Sequence, residues 1–499
     1  MNFFNFFEND FIVILSEFFI FIAIIFLLSY GVIYSTSSFY KYPILSLNIN
    51  LLALLVLFVA FLLCLNNSLP SIIIFNNLLV VDFFTTFVKI SILLNSIFFT
   101  LMSFNYLEYN KINSFEFTIL ILLSILGMLL LVSSYDLLSL YLAIELMSLS
   151  FYILASYKIK SEFSGESGLK YFILGAFSSG LLLFGFSLLY GFTGMTNFED
   201  IGKLILGIGS LSDTLSYKGI FIGIFFISIA LLFKVGAAPF HMWAPDVYEG
   251  SPTPITALFS TLPKMTLLVL YIRLFFCTLY DFIILWQELF LICAIISMIW
   301  GSVAALSQKR IKRLMAYSGI VNVGYMLLGI ASGSITSIVG LLLYLIIYII
   351  MMLGFFSFIL GMRKFKTYSL NNYLIDLLNI GKTNTIIAIS LALILFSLSG
   401  IPPLAGFFSK LYLFFAIINS ELYGSAILGV LSSALAAFYY IRIIKLMYFE
   451  NLKKYILYKS IDQSNSYVLS ISILLLFIFI VSSDALLFSC YKIGLVLSL

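Results

Sequence analysis

Groups that carry redox and metal chemistry are scarce in this sequence of 499 residues. It has one histidine, His241, and four cysteines with no short pairing such as CxxC: Cys64, Cys277, Cys293 and Cys490. One histidine and scattered cysteines cannot supply a pair of haem ligands or an iron–sulfur cage. We therefore expect no metal site and no bound cofactor in this chain, and we interpret the cysteines as small packing residues.

Charged residues are also scarce, at 10% of the chain, whereas hydrophobic residues make up 63% and the mean hydropathy is +1.16. This composition excludes an ordinary soluble globular protein and is typical of a polytopic membrane protein. The net charge of +4 is small for this length and does not indicate a nucleic-acid partner. The first residues are acidic rather than basic, at Glu8, Asp10 and Glu17, so we predict no secretory or transit peptide.

Weakly apolar stretches are short in this chain. The two longest, residues 191–218 and 363–383, are too small to fold alone, and we expect both to be loops. The chain uses Phe, Ile, Leu, Asn and Tyr heavily, as the product of an AT-rich gene would, which favours an organelle genome.

Many apolar stretches are long enough to cross a bilayer, whose hydrocarbon core of about 30 Å requires about 20 helical residues. There are fourteen, near residues 11–33, 43–65, 83–104, 116–133, 137–157, 168–190, 219–240, 254–278, 282–306, 312–331, 336–362, 384–415, 421–448 and 467–487. We therefore predict an all-α polytopic membrane protein of about 14 transmembrane helices.

Basic residues are distributed unequally between successive connections. Connections after even-numbered spans carry only Lys203 and Lys218. Those after odd-numbered spans carry Lys41, Lys111, Lys158, Lys160, Lys309, Arg310, Lys312, Arg313, Arg363, Lys364, Lys366, Lys382, Lys453, Lys454 and Lys459. Because basic residues favour the negative, cytoplasm-equivalent face, this bias places the odd-to-even connections there and both termini on the other face.

The stretch 219–264 places charges where lipid disfavours them. Its first apolar run carries Lys234 and then breaks at Gly236 and Pro239, and a second apolar run carries Lys264. A lysine near mid-membrane costs about 2.5–3.5 kcal/mol. Irregular backbone is tolerated at that depth only when it is packed in protein or lines a wet cavity. We therefore predict a broken seventh helix beside a pathway for ions or protons.

A second break repeats the features of the first. Gly400 follows Gly236 by 164 residues, and the pair Pro402–Pro403 then interrupts the twelfth span before Lys410. That offset corresponds to five spans, so the second copy crosses the membrane in the opposite direction. Such a pattern is typical of two inverted five-helix repeats with broken helices at matching positions, here helices 7 and 12.

Glu145 lies in the middle of the fifth span, where it is the most central carboxylate of the chain. With Lys234 it forms either a static ion pair that fixes helix packing or a switch that controls when the lysine releases its proton. His241 also has two interpretations, a hydrogen-bonded cap at a helix end and a proton relay. The sequence leaves both alternatives open.

Other charges in apolar segments receive a simpler interpretation. They lie nearer span ends or in outlying helices, where long side chains extend toward the membrane surface. These residues are Glu17, Lys89, Arg273, Arg442 and Lys445. We expect them to have no part in ion or proton transfer.

Five segments closely resemble the subunit 2 family of the respiratory NADH:ubiquinone oxidoreductase, complex I. They are KVGAAPFHMWAPDVYEGSPTP at 234–254, YDLLSLYLAIE at 135–145, GLKYFILGAFSSG at 168–180, KRLMAYS at 312–318 and GIPPLAGFFSK at 400–410. The mitochondrial members look more similar than the bacterial or chloroplast members. Asn322 is a departure, because relatives often carry histidine or glutamine there, and this weakens a role for the tenth span in the proton path.

The resemblance implies an antiporter-like, proton-translocating subunit of NADH:ubiquinone reductase that performs no redox chemistry itself. The proton-transfer residues would be Glu145, Lys234, Lys264 and Lys410, with His241 as a further relay candidate. Partner subunits would bind NADH, FMN, iron–sulfur clusters and ubiquinone. The chain would contact other membrane-arm subunits of complex I and the lipid bilayer.

The implied domains are three N-terminal helices (1–115), two inverted repeats of helices 4–8 (116–278) and 9–13 (279–450), and helix 14 (451–499). Animal members of the family lack the first three helices, so the expected location is the inner membrane of a non-animal mitochondrion. The charge bias would then place both termini in the intermembrane space. Two other functions stay open, a stand-alone cation/proton antiporter subunit and a non-conducting structural spacer.

Overall fold

The computed structural model describes residues 10–35, 46–66, 71–110, 112, 114–158, 160–208, 215–365, 370–450 and 458–498. Residues 1–9 lie outside these ranges, and so does the prediction of the membrane face on which the amino terminus lies. Five basic residues of the topology prediction also lie outside the described residues: Lys41, Lys111, Lys366, Lys453 and Lys454.

Helices form nearly all of the described chain. They are α1 (Leu15–Ser35), α2 (Ser46–Leu65), α3 (Phe83–Tyr109), α4 (Glu116–Ser133), α5 (Leu137–Ala155), α6 (Glu162–Thr193), α7 (Phe198–Ile208), α8 (Leu215–Val235), α9 (Trp243–Gly250), α10 (Thr253–Tyr271), α11 (Ile283–Leu306), α12 (Ile311–Ala331), α13 (Ile335–Gly361), α14 (Ile380–Thr383), α15 (Thr385–Ser399), α16 (Ala405–Asn419), α17 (Tyr423–Tyr448), α18 (Gln463–Val481) and α19 (Asp484–Ser498). A π-helical segment, Ile272–Thr278, continues α10, and 3₁₀ turns cover Tyr280–Phe282 and Leu374–Leu377. One antiparallel hairpin pairs β1 (Ile72–Ile74) with β2 (Leu79–Val81).

Within the described ranges, 13 helical segments are long and apolar enough to cross a membrane. They coincide with all of the predicted spans except the twelfth. In its place are two shorter apolar helices, α15 and α16, which flank the second proline break. The all-α polytopic fold is therefore confirmed, and the described helices are consistent with the predicted number of spans.

Serine and threonine side chains inside the spans are largely satisfied by their own helices. For example, the Ser96 hydroxyl donates to the carbonyl of Leu93 (2.7 Å) and the Ser228 hydroxyl donates to that of Phe225 (2.8 Å). This bond removes most of the cost of placing a hydroxyl in an apolar environment. Abundant serine therefore does not mark a polar pathway, whereas a buried lysine needs partners from elsewhere.

The chain forms two compact units. The first comprises Met1–Leu231 and Thr266–Asp281, and the second comprises Leu232–Met265 and Phe282–Leu499. In the first unit α4 packs along α5, and α1, α2 and α3 pack against one another in sequence and against α4. The N-terminal helices thus form a layer on α4.

Helix α13 is central to the second unit. It is among the most apolar helices, and it packs against α12, α15, α16, α18 and α19. Helix α12 packs along α11 and also contacts the short helix α9. Because α12 and α13 are almost wholly buried, their polar side chains must find partners within the protein.

Residues 191–218, which we expected to be a loop, contain helix α7. Its residues Phe198 and Ile205, seven positions apart on one face, are buried, whereas Glu199 and Lys203 form an exposed ion pair. An amphipathic helix of 11 residues has too few apolar positions to resemble a span, so the hydropathy pattern does not reveal it.

The β-hairpin between α2 and α3 is another structure that the span pattern does not predict. Its turn residues Phe75, Asn76 and Asn77 all have positive φ. The backbone N–H of Tyr135 donates to the carbonyl of Leu78 (2.9 Å). This bond fixes the hairpin against the chain that enters α5.

Residues 363–383, also expected to be a loop, contain a 3₁₀ turn and helix α14. There Lys364 Nζ lies 2.7 Å from Asp376 Oδ1, and the Tyr458 hydroxyl donates to the backbone carbonyl of Asp376. Ion pairs and hydrogen bonds order this segment together with the buried side chains of Leu374, Leu377 and Ile380, which are too few to stand out in the hydropathy pattern.

Candidate functional site

Helix α8 ends at the first break in a Schellman cap. Gly236 has a left-handed backbone (φ 81°), and the N–H groups of Gly236 and Ala237 donate to the carbonyl of Leu232 at 3.0 and 3.1 Å. Glycine adopts this φ without steric cost. The Trp243 indole Nε1 donates to the carbonyl of Phe233 (2.9 Å). The carbonyls of Leu232 and Phe233, near the end of the helix, are thus satisfied by residues that follow them at the break.

The second break has the same cap. Gly400 (φ 82°) and Ile401 each donate to the carbonyl of Phe396 at 3.2 Å, so donors and acceptor occupy the same relative positions as in the first break. The prolines that follow have cis peptide bonds in both, at Ala238–Pro239 and Pro402–Pro403. The two breaks are therefore alike locally, and the inverted repeat around them stays a prediction.

Lys410 lies in α16, directly beyond the second break, and is 6% exposed. Its Nζ donates to the carbonyls of Leu398 (3.0 Å) and Ser399 (3.1 Å). These are among the last carbonyls of α15, which have no N–H partner in the helix. The Lys410 ammonium also lies 5.3 Å from the centroid of the Tyr325 ring. The break thus frees the oxygens that the lysine binds.

A cavity of about 310 Å³ lies beside Lys410. It is lined by Ser399, Gly400, Phe407, Lys410, Leu411, Phe414, Phe415, Ile418, Val430 and Ser433. Most of the lining is apolar, and the side chains of Phe415, Ile418 and Val430 are exposed. The Lys410 side chain therefore borders a pocket that opens to the outside of the described chain.

Lys264 lies in α10 and is likewise 6% exposed. Its Nζ donates to the carbonyl of Gly319 (3.2 Å) and to the hydroxyl of Tyr348 (3.3 Å), and it lies 5.5 Å from the Tyr348 ring centroid. A Cβ on residue 319 would lie 2.6 Å from this nitrogen. Glycine at this position of α12 therefore makes room for the lysine.

A proline precedes Lys264 inside the helix. Pro263 has no N–H to donate to the carbonyl of Phe259, four residues earlier. The hydroxyl of the buried Tyr248 donates to that carbonyl instead, at 3.0 Å. The short helix α9 thus supplies the hydrogen bond that the proline removes, and α10 continues through Lys264.

Both buried lysines bind only neutral oxygens in these contacts. Within the described ranges, no ion pair includes Lys264 or Lys410. Burial away from a counter-ion disfavours the charged form of an amine and therefore favours proton exchange. The proton-transfer role of the two lysines stays a prediction.

The other predicted site residues are placed as follows. Glu145 is half-buried in α5, where the Ser148 hydroxyl donates to its Oε2 (3.3 Å). Lys234 is half-buried in the last turn of α8. These two residues belong to different units, and the switch between them stays a prediction. His241 is buried, with its ring 6.3 Å from that of Trp300, a contact that fits either of its two interpretations.

Glu17 and Lys89, which we expected to extend toward the membrane surface, form an ion pair inside the first unit. Both side chains are 3% exposed, and the Ser16 hydroxyl donates to Glu17 Oε2 at 2.5 Å. Arg273 is also buried and pairs with Asp82 at 2.6 Å. The surface interpretation of these residues is wrong, because each charge is neutralised by a partner instead of by water.

The remaining two charges in this group differ from each other. Arg442 Nη1 donates to the carbonyl of Leu306 (3.0 Å), whereas Lys445 is exposed and lies 3.4 Å from Glu450. Lys445 matches the surface interpretation, and the half-exposed Arg442 does not contradict it.

Sequence reasoning missed the tyrosines around the two lysines. Tyr344 and Tyr348 lie one turn apart in the apolar helix α13, and that spacing was the available signal. The Tyr344 hydroxyl donates to Asn322 Oδ1 at 2.9 Å. Asn322, which we expected to have a weaker role, therefore lies in the same polar cluster as the lysines' aromatic neighbours.

Charged residues also fix α9 to the start of α12. Glu249 pairs with Arg310 and lies 3.4 Å from Arg313 Nη1. Lys312 Nζ donates to the carbonyl of Ser251 at 2.7 Å. This charged clasp connects the start of α12 with α9, the helix whose Trp243 indole donates to the first break.

Comparison with known proteins identifies the family to which this chain belongs. Residues 134–436 match the family described as NADH:quinone oxidoreductase/Mrp antiporter, TM. The chain is 46% identical over 497 residues to NADH-ubiquinone oxidoreductase chain 2 of Marchantia polymorpha, covering 99% of this chain and 100% of that protein. It is 44% identical over 442 residues to NADH-quinone oxidoreductase subunit N of Pelagibacter ubique, covering 88% and 90%.

A solved structure shares the fold. It is a chain of respiratory complex I from Thermus thermophilus with bound aureothin, at a TM-score of 0.76 and 25% identity over 94% of this chain and 98% of that chain. The chain therefore belongs to the NADH:quinone oxidoreductase/Mrp antiporter family and, within it, to the relatives of NADH-ubiquinone oxidoreductase chain 2.

Proposed function

We propose that this chain is a proton-translocating membrane-arm subunit of a respiratory NADH:ubiquinone oxidoreductase. Partner subunits bind NADH, FMN, the iron–sulfur clusters and ubiquinone and transfer the electrons. This chain performs no redox chemistry, and it exchanges protons through Glu145, Lys234, Lys264 and Lys410, with His241 as a further relay.

The observation that carries the proposal is the pair of deeply buried lysines, Lys264 and Lys410, bound to neutral oxygens. Lys89 provides the contrast, because it is equally buried but is neutralised by Glu17. A proton on Lys89 is held by an opposite charge, whereas a proton on Lys264 or Lys410 is held by dipoles alone. Only the latter arrangement suits repeated loss and recovery of a proton.

The Glu145–Lys234 switch is of adequate size for this task. Moving one proton against about 180 mV costs about 4 kcal/mol. Two unit charges about 4 Å apart attract each other by about 4 kcal/mol at the effective dielectric constant of about 20 that applies to partly buried pairs. Approach and withdrawal of the Glu145 carboxylate therefore change the stability of the proton on Lys234 by the required amount, and electron transfer in partner subunits supplies the energy.

The chain is proposed to be an organelle-encoded, multi-pass protein of the mitochondrial inner membrane, with both termini in the intermembrane space. The excess of basic residues on the odd-to-even connections supports this orientation. Cysteine labels introduced at 309–313 should react from the matrix side, and labels near residues 2 and 497 from the intermembrane space. A terminus that reacts from the matrix would contradict the orientation.

The proposed domains are the N-terminal helices (1–115), two inverted repeats (116–278 and 279–450) and a C-terminal helix (451–499). The matching caps at Gly236 and Gly400 support two repeats with equivalent breaks. The repeats bring one broken helix each to the site.

The test is Lys264→Ala in the assembled complex, compared with Lys203→Ala, which removes an exposed lysine. We expect NADH-driven proton translocation to fall about a hundredfold or more in Lys264→Ala, the loss typical of a proton-transfer group. Lys203→Ala should stay near the parental rate. Normal translocation by a fully assembled Lys264→Ala complex would favour a structural spacer, and purification without NADH-oxidising partners would favour a stand-alone antiporter.

A further inference from the structure

Helices α11 and α17 of the second unit pack against each other, and we call their line of contact the α11–α17 seam. Both helices are long and apolar enough to cross a membrane, and they are the ninth and thirteenth predicted spans, which cross in the same direction. Arg442, in the last turns of α17, donates from Nη1 to the carbonyl of Leu306, the last residue of α11, at 3.0 Å. The carboxyl ends of the two helices therefore meet at one membrane surface.

Large apolar side chains form an outward stripe on each helix. They are spaced three or four residues apart, which places the members of each set on one helix face. Near the carboxyl ends the exposed members are Ile296, Ile299 and Val303 on α11 and Leu435, Phe438 and Ile441 on α17. We call these two sets the apolar stripes.

The inward faces of the same helices carry small residues instead. Examples are Ala294, Ser297 and Gly301 on α11 and Ala426, Gly429 and Ser432 on α17. A Cβ at Gly301 would lie 3.1 Å from the carbonyl of Tyr317 in α12, so the two backbones approach closely there. Small residues are typical of contacts between membrane helices. The large side chains of the apolar stripes therefore suit lipid chains better than a further packed helix.

Basic side chains lie where the apolar stripes reach the membrane surface. On α17, Arg442 and Lys445 follow Phe438 and Ile441 by one helical turn each, so they continue the same face. Lys309 lies three residues beyond the end of α11 and is exposed. Basic residues at the membrane end of apolar helices attract anionic lipid headgroups.

Two of these charges are not neutralised by the protein. Within the described ranges, no ion pair includes Lys309 or Arg442. Lys445 Nζ lies 3.4 Å from Glu450 Oε1, but both side chains are exposed and such a pair contributes little. A guanidinium has five N–H donors, so the bond to Leu306 leaves donors of the half-exposed Arg442 for a phosphate.

We propose that the α11–α17 seam binds an anionic phospholipid. The headgroup phosphate binds Arg442 and Lys309, and the acyl chains lie along the apolar stripes. One basic residue beside an anionic lipid changes the affinity about fivefold, so the two together favour an anionic headgroup over a zwitterionic one about 25-fold. The site exchanges no protons, so this inference goes beyond the proposed function and does not depend on it.

Helix capping offers a competing explanation for Arg442, since a cation at the last carbonyls of a helix stabilises it without any ligand. Arg442→Gln removes both the cap and the charge. Lys309→Gln removes a charge and leaves the bond from Arg442 to Leu306 in place. Lys158→Gln is the matched control, because Lys158 is also exposed and also lies three residues beyond the end of an apolar helix, α5.

The experiment uses phospholipid probes with a photoreactive diazirine in an acyl chain, added to the assembled complex in phosphatidylcholine vesicles. The probe has either a phosphatidylglycerol or a phosphatidylcholine headgroup, and mass spectrometry locates the labelled residues. We expect the phosphatidylglycerol probe to label 296–303 and 435–441 about 25 times more strongly. This preference should fall about fivefold in Lys309→Gln, vanish in Lys309→Gln/Arg442→Gln and stay at the parental value in Lys158→Gln.

Other outcomes would overturn the site. Equal labelling by both probes would show that the seam takes bulk lipid without recognising a headgroup, and labelling by neither would show that a neighbouring subunit covers it. A loss of preference in Arg442→Gln with parental values in Lys309→Gln would assign the effect to the cap. Excess inorganic phosphate should leave the labelling unchanged, and displacement by it would indicate a site for a free anion. Lys264→Ala should label like the parental complex, so failure of the proposed function leaves this result unaffected.

Discussion

Glu17 in α1 and Lys89 in α3 form an ion pair in which each side chain is only 3% exposed. Lys89→Met removes one charge and leaves the Glu17 carboxylate buried without its partner, which costs about 3–5 kcal/mol. We expect this variant to lower the amount of assembled complex on native gels. Turnover per assembled complex should stay near the parental value, because neither residue exchanges protons in the proposed function.

The double variant Glu17→Gln/Lys89→Met is the control for this pair. It removes both charges, so most of the assembled complex should be recovered relative to Lys89→Met alone. If the double variant assembles as poorly as the single one, the packing of the lysine side chain, and not its charge, stabilises the N-terminal helices.

Gly319→Ala tests the space beside Lys264. The new methyl would lie 2.6 Å from Lys264 Nζ, the end of a flexible side chain, so α12 can keep its packing while the nitrogen moves away from its partners. We expect normal assembly with reduced proton translocation per NADH. Gly180→Ala, whose Cβ meets nothing within 4 Å, should be neutral or slightly stabilising. Parental translocation in Gly319→Ala would show that the observed position of the ammonium is not required.

Gly236→Ala and Gly400→Ala separate the effect of backbone strain from an effect on proton translocation through Lys410. Alanine at position 236 or 400 must adopt a left-handed backbone, which costs about 1–2 kcal/mol in either break. A Cβ at 400 would also lie 3.0 Å from Lys410 Cδ, whereas the nearest atom to a Cβ at 236 is 3.5 Å away. We expect similar losses of thermal stability but a larger loss of proton translocation for Gly400→Ala. Equal translocation in the two variants would contradict this account.

Glu249→Gln tests the charged clasp between α9 and α12. The arginines that bind Glu249 are partly exposed, so the pairs should contribute only about 0–1 kcal/mol and should weaken with salt. The melting temperature of the complex should therefore fall slightly at low ionic strength, and the difference from the parental protein should vanish at high ionic strength. A difference that persists in high salt would point to lost hydrogen bonding instead of lost charge.

The long helices could be predicted because membrane burial depends on length and composition, both of which are local properties of the sequence. The partners of buried charges could not be predicted from the sequence. Glu17 and Lys89 lie in different spans, and nothing local to either one indicates that the two meet. Helix α7 and the β-hairpin were missed for a related reason, since their stability comes from contacts with distant segments instead of from a long apolar run.

The candidate site was predicted in part. Lys264, Lys410 and the two breaks stand out because charges and prolines are costly in apolar helices. Gly319 and Tyr348 do not stand out in the sequence, because glycine and tyrosine are ordinary residues in membrane helices. Their importance becomes visible only when α10, α12 and α13 are brought together and the lysine nitrogen lies against them.

Lys410→Arg separates the charge of the side chain from its ability to exchange a proton. A guanidinium can donate to the same carbonyls of Leu398 and Ser399, and the adjacent cavity of about 310 Å³ has room for the larger group. We therefore expect the variant to assemble normally. Guanidinium does not deprotonate in proteins, so Lys410→Arg should translocate protons poorly.

Lys410→Glu completes this test, because a carboxyl group still titrates. Facing two carbonyl oxygens, it would be held in its protonated form until a proton acceptor approaches, and it should therefore retain more activity than the arginine variant. The measurements are NADH:quinone turnover and proton translocation in membranes with matched complex content. An arginine variant that translocates protons at the parental rate would show that Lys410 serves as a fixed charge, because a group that cannot release its proton cannot pass it on.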